Sequence, residues 1–214
     1  MQHFSSEKTV RLFLVRKVEE REQILLVHEK DERAQKDENG QSGKPGGWSL
    51  PGGGIKKSET EILKEIQNLL AAQVRAPKES GGDRPLSRKE YDFYYEMFLD
   101  TPPFTELKVI LTAVKEGMEE TGLFVRPLRE LFREATPNSK NGHHSVFLAC
   151  EVLAGILQPH SVETDDARWF DVERLPEGRL PDGLYKSHRP WIERGLELFR
   201  HPEIEEQQEE EEFV

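Results

Sequence analysis

The chain has 214 residues, a formal net charge of −11, and 35% apolar against 33% charged residues. That is enough material for one sizeable core domain with additions, with no apolar run of about eighteen residues to cross a bilayer. The acidity argues against passive attraction to nucleic acid or to an anionic membrane surface.

The segments 9–16 (TVRLFLVR) and 23–28 (QILLVH) are short β-branched and apolar runs, and the polar KVEERE between them predicts a hairpin. The stretch EKDERAQKDENGQSGKPGG then has the charge, Gly, Ser and Pro content of a loop, and WSLPGGGIKKSE follows directly. From Glu61 to Val74, Ile62, Ile66, Leu69, Leu70 and Val74 recur at helical spacing. After APKESGGDRPL, the capping pattern of Ser87 and Glu90 predicts a second helix carrying Tyr91, Tyr94, Tyr95 and Phe98, side chains that read as core before they read as a base-stacking platform.

A third helix is expected from near Thr105 through Leu107, Ile110, Leu111, Val114 and Met118 to a Gly122 stop. HHSVFLACEVLAGIL and DARWFDVERL read as strands, and KSHRPWIERGLELFRHP as a closing helix started near Ser187. Strands alternating with helices predict a mixed α/β or α+β domain. The final PEIEEQQEEEEFV holds seven glutamates and leaves the rest of the chain at −4, the pattern of a solvated, disordered tail. Cys150 is the one cysteine, so no intrachain disulfide is possible; within SVFLACEVL it reads as a buried small hydrophobe. The opening MQHFSSEKTVRLFLVRK lacks the order of a secretory signal, and a cytoplasmic address is expected.

Glu116, Glu119 and Glu120 fall on one patch of the third helix, because helical neighbours lie three and four apart. One reading is a solvated face, where repulsion costs a few tenths of a kcal/mol per pair, about what exposed like charges cost. The other is a site for a hard divalent cation, Mg²⁺ or Mn²⁺, which takes carboxylate oxygens and completes its shell with water and phosphate. The consecutive glycines of LPGGGIKKSE could offer peptide groups to a metal or phosphate.

Together these pieces resemble the Nudix hydrolase signature, in which a Gly, five residues and a Glu precede seven residues and REUXEEXGU, U being a bulky aliphatic residue. Gly53 and Glu59 match the first part, and KEGMEETGL, residues 115 to 123, matches the second at Glu116, Glu119, Glu120, Gly122 and Leu123. DDARWFDVERLP is similar to a stretch found late in such domains. The sequence departs from the pattern at Lys115, which stands for the arginine, at Gly117, which stands for an aliphatic residue, and in having 55 residues between Glu59 and Lys115 in place of seven.

The resemblance implies a Nudix-like mixed β-sheet sandwiched between helices, with a helical hairpin inserted at about 60–105. The domain is expected over 1–186, with a C-terminal helix over 187–202 and the acidic tail over 203–214. The insert reads as a packing or dimerisation element, or as a lid beside the site. The resemblance also implies hydrolysis of a phosphoanhydride in a nucleoside diphosphate linked to another group, with Gly54, Glu116, Glu119 and Glu120 as ligands of Mg²⁺ or Mn²⁺. Glu119, Glu120 and a later acid, Glu163 ahead of Asp165 and Asp166, would be catalytic, and Glu59 structural. Lys115 is expected to pair with a nearby carboxylate. His143 and His144 read as a polar strand start, Trp48 and Trp169 as possible pocket walls, and Trp191 as packing. Nucleoside diphosphate sugars or ADP-ribose lead the expected substrates, nucleoside triphosphates follow, and capped RNA is disfavoured by the acidic surface. A homodimer fits the class. The alternatives are a nucleotide-binding or regulatory module of the same fold without turnover, or a scaffold acting through the insert.

Overall fold

A computed structural model describes residues 8–31, 45–55, 57–74, 89, 107–135 and 144–202. The second helix expected near residue 90, with its tyrosines, and the acidic tail lie outside the described residues, apart from Lys89.

The hairpin is tighter than its sequence suggests. Strand β1 (Lys8–Val18) meets β2 (Arg21–Glu29) with Val18 opposite Arg21, leaving a two-residue turn in which Glu19 takes φ 56°. The remaining strands are β3 (Gly47–Ser49), β4 (Leu123–Ala135), β5 (His144–Gly155) and β6 (Thr164–Asp171). They form a mixed sheet in the order β3-β2-β1-β5-β4, with β6 on the other edge of β2. β1 changes partner along its length. Residues Lys8 to Leu14 pair in parallel with β5, whereas Val15 to Val18 pair antiparallel with β2.

That partner change leaves one edge of the first half of β1 open to the glycine loop. Leu12 donates its N–H to the Pro51 carbonyl and Val10 to the Gly53 carbonyl, both at 2.9 Å, while Thr9 stands opposite Gly54. The loop is thereby laid along the sheet as a short extra rung. It is not left as a free turn.

Helices cover both faces, as strand alternation requires. On one face Phe13, Ile24, Leu26, Phe147 and Ala149 pack with Trp191, Ile192, Leu196 and Leu198 of the last helix, α3 (His188–Arg200). On the other, Val10, Leu12, Leu14, Leu25, Val146, Leu148 and the buried Cys150 pack with Val109 and Ala113 of α2 (Leu107–Glu116). The outer side of α2 is covered in turn by α1 (Glu59–Val74), where Ile62 and Ile66 meet Ile110, Leu111 and Val114. Each such fully buried side chain contributes roughly 1.5–3 kcal/mol. α1 begins with a capping box, Ser58 and Glu61 exchanging side-chain to backbone bonds.

The apolar spacing predicts one helix up to the Gly122 stop. Its α-helical part ends at Glu116, and Gly117–Thr121 forms a π-turn before Gly122 closes it at φ 75°. Gly117 lies against Val125, so close that a Cβ there would be 2.7 Å from Val125 Cγ2. Among the described residues no helix is long and apolar enough to cross a membrane.

Candidate active site

The glycine loop and the end of α2 meet over the first half of β1. The Glu120 carboxylate accepts the Gly52 N–H at 2.6 Å. Glu116 is buried, at 8% exposure, and its carboxyl lies against the next glycine, since a Cβ on Gly53 would be 2.5 Å from Glu116 Cδ. Lys115 spans the remaining pair, with Nζ 3.0 Å from Glu116 Oε1 and 2.6 Å from Glu119 Oε2. Glu116 and Glu120 therefore lie against one loop, and the lysine that replaces the signature arginine ties Glu119 to Glu116.

The electrostatics follow from crowding in a partly dry place. Burial raises the Glu116 carboxyl, against the pull of Lys115. Burial and then the Glu116 charge push Glu120 up to about 8, although the Gly52 N–H and Arg11 favour its ionised form and the residue keeps some exposed surface. Burial alone would lower Lys115, but the Glu116 charge and the bond to Glu119 outweigh it and hold the ammonium above its ordinary value.

Three further side chains belong to this neighbourhood, and sequence reading missed them. Arg11 of β1 reaches across to the loop and donates from Nη1 to the Leu50 carbonyl at 3.2 Å and the Gly52 carbonyl at 3.4 Å. Its one sequence signal is a charge inside the otherwise apolar run VRLFLV of β1. His188, the first residue of α3, accepts the Leu50 N–H on Nδ1 at 3.0 Å. Burial and then the Arg11 charge depress it to about 3. Glu29, at the end of β2, accepts a bond from Ser49 Oγ at 3.2 Å, and its charge is felt at Glu120.

Other expected positions are less central. Glu163 is exposed in the loop before β6, and its hydrogen bonds run through its backbone, to Lys30 and Ser161. The loop itself is fixed to the site, because the His160 N–H donates to the Glu119 carbonyl at 2.8 Å. Asp165 bonds His28 at 2.7 Å and Asp166 pairs with Arg168 at 2.5 Å, so both are engaged elsewhere. Glu59 is exposed on the first turn of α1. Trp48 and Trp191 are buried in the core, whereas Trp169 is half-buried under the Arg16 guanidinium. His144 begins β5 at an exposed position, and His143 lies outside the described residues.

Among the described residues, no three His, Cys, Asp or Glu side chains are already drawn together as a metal shell. The donor chemistry nonetheless fits a hard cation. Carboxylate oxygens of Glu116 and Glu119 already hold a positive group between them, the Lys115 ammonium. Gly54 is exposed, and because the flanking bond of the ladder is made by Gly53, its own carbonyl is turned off β1.

Residues 105–195 match the model of the NUDIX domain. A 77-residue stretch is 36% identical to the NAD-capped RNA hydrolase NudC of Chromobacterium violaceum, covering 35% of this chain. That match spans 27% of the relative's length. Among solved structures, an ADP-ribose pyrophosphatase of Streptococcus suis is similar at 20% identity and a TM-score of 0.48, over 92% of this chain and 93% of that one. The NUDIX domain of Shewanella oneidensis NrtR complexed with ADP ribose is similar at 17% identity and a TM-score of 0.45, over 91% and 89%. The matched stretch runs through α2, which leads into the glutamate triplet, and on into α3, so this part of the chain is similar to the NUDIX domain.

Proposed function

We propose that the chain is a divalent-metal-dependent pyrophosphohydrolase that cleaves a phosphoanhydride bond in a nucleoside diphosphate linked to another group. The observation that carries this reading is the contact of Glu116 and Glu120 with the glycine loop, with the Lys115 ammonium joining Glu119 to Glu116. Glu116, Glu119, Glu120 and the Gly54 carbonyl would hold Mg²⁺ or Mn²⁺. When bound, such an ion supplies charge neutralisation for the diphosphate and lowers the pKa of coordinated water. The chain's own part is to fix the Glu120 carboxylate in direction through the Gly52 N–H and to anchor the Glu119 backbone through the His160 loop. Glu119 and Glu120 are the proposed catalytic carboxylates, with Glu163 the proposed later acid on the tethered loop.

ADP-ribose and NAD-like diphosphates lead the proposed substrates, because the 36%-identical segment belongs to a protein named for hydrolysing NAD-capped RNA. Nucleoside diphosphate sugars and then triphosphates follow. The test is product release from ADP-ribose, NAD, a nucleoside diphosphate sugar and ATP, each with Mg²⁺, Mn²⁺ or EDTA. Cleavage of a diphosphate substrate that EDTA abolishes is expected; binding of ADP-ribose without turnover under any metal overturns the enzyme in favour of a nucleotide-binding module. The Lys115 ammonium between Glu116 and Glu119 is the observation that favours this second reading, since it neutralises the site without a metal.

A further inference from the structure

We infer that His188 and Arg11 are positioning residues that clamp Leu50 and so set the glycine loop over the glutamates; the inference rests on the proposed reading of that site. A run of glycines has no side chains with which to hold its own shape, so its geometry must be imposed from outside. Leu50 is fully buried, and both of its backbone polar groups are taken by distant side chains: its N–H by His188 Nδ1, 138 positions later, and its carbonyl by Arg11 Nη1. The same Arg11 nitrogen reaches the Gly52 carbonyl, and the Gly52 N–H is the one that Glu120 accepts. One short relay therefore runs from α3 through Leu50 and Gly52 to a signature glutamate.

The fold brings His188 to this point by a defined route. Residues 183–185 attach to β3, Trp48 donating to the Gly183 carbonyl and Tyr185 to the Trp48 carbonyl at 3.0 Å each. α3 starts three residues later and is anchored by Trp191, Ile192 and Leu196 in the core. His188 is 5% exposed and sits between the rings of Tyr185 and Trp191. Accepting on Nδ1 requires a neutral ring with its proton on Nε2. A buried imidazole bearing one specific acceptor, placed against the backbone of the catalytic loop, has a directional task beyond filling space.

The test uses the full chain with His188→Leu, which removes the acceptor, and His188→Asn, whose Oδ1 occupies nearly the place of Nδ1 and can accept the same N–H. Arg11→Met removes the other half of the clamp and serves if the leucine variant does not fold. Amide exchange at Leu50 is followed by mass spectrometry or NMR, and kcat and KM are measured with ADP-ribose and Mn²⁺. In the leucine and methionine variants, Leu50 exchange is expected to accelerate on the order of 10-fold or more, as loss of a buried bond implies. With it kcat should fall by about 10- to 100-fold with KM moved much less, because misplaced groups cost rate more than binding. The asparagine variant should recover most of both. Unchanged Leu50 exchange in a folded leucine or methionine variant, or an asparagine variant no better than leucine, overturns the clamp. If the wild-type chain hydrolyses nothing in any metal, the reading of the site fails, and Leu50 exchange alone still decides the clamp.

Discussion

The Glu120 carboxylate and the Gly52 N–H meet at 2.6 Å across 68 positions of sequence, and this bond closes the two halves of the interrupted signature into one site. Gly52 has φ 147° and lies so close to β1 that a Cβ would be 2.9 Å from the Val10 carbonyl carbon, whereas a Cβ on Gly53 would meet the movable carboxyl of Glu116.

The two glycines should therefore fail differently when changed to alanine. Gly52→Ala strains a backbone and presses on another, with an expected stability loss of about 1–3 kcal/mol. Gly53→Ala can be relieved by rotating Glu116, so stability should change by less than about 1 kcal/mol while turnover falls about 10²-fold through the displaced carboxylate. Chemical denaturation and kcat on the same preparations check this. A Gly53→Ala variant with full turnover would remove Glu116 from the site.

Glu119→Gln keeps the shape of the side chain and removes its charge. Glu119 is partly exposed and bonds Lys115 at 2.6 Å on the surface side of the pair. Losing that contact should cost at most about 1 kcal/mol, as for other exposed ion pairs. Turnover should fall about 10³-fold, the scale of removing one electrostatic group from a phosphate-transferring site. Steady-state rates and a melting curve suffice, and near-normal turnover would exclude Glu119 from the metal shell.

Much of this arrangement was legible in the sequence because it depends on local periodicity. The β-branched runs at 9–16 and 23–28, the three-and-four spacing of α1 and α2, and the close-set glutamates all report themselves over a few residues. The Ser58 and Glu61 spacing signals a cap in the same way as the expected one at 87–90. What stayed hidden is set at long range. No local pattern indicates that β1 exchanges β2 for the glycine loop at Leu14, nor that Arg11, Leu50 and His188 share one contact. The π-turn at Gly117–Thr121 is hidden for a related reason, since it depends on what packs against Gly117.

His188 gives the fold a dependence on acid. Its folded value, about 3, lies below the ordinary 6.5, so between those values the unfolded chain binds a proton that the folded chain refuses. The stabilisation is fully present above pH 6.5 and is lost as pH falls from there toward 3. The slope approaches about 1.4 kcal/mol per pH unit for one proton. Denaturation midpoints between pH 7.5 and 4.5 should show a component of this size in the wild type that is absent from His188→Asn. Parallel pH profiles for the two proteins would mean that the imidazole is not held neutral by the fold.

Gly117 stands where the family signature has an aliphatic side chain, and its surroundings give the reason. A Cβ there would be 2.7 Å from one methyl of Val125 and 3.2 Å from the other, and Val125 is fully buried at the start of β4. A leucine must push β4 away from the π-turn. The cost of such overpacking is about 1–3 kcal/mol. Because Glu119 and Glu120 are borne on this turn and Glu116 directly precedes it, the same displacement should lower turnover in Gly117→Leu by about 10-fold or more. Pairing it with Val125→Ala separates the two effects. The smaller neighbour should restore stability and turnover together if contact with β4 is what requires glycine, and a Gly117→Leu variant that keeps both by itself would remove that requirement.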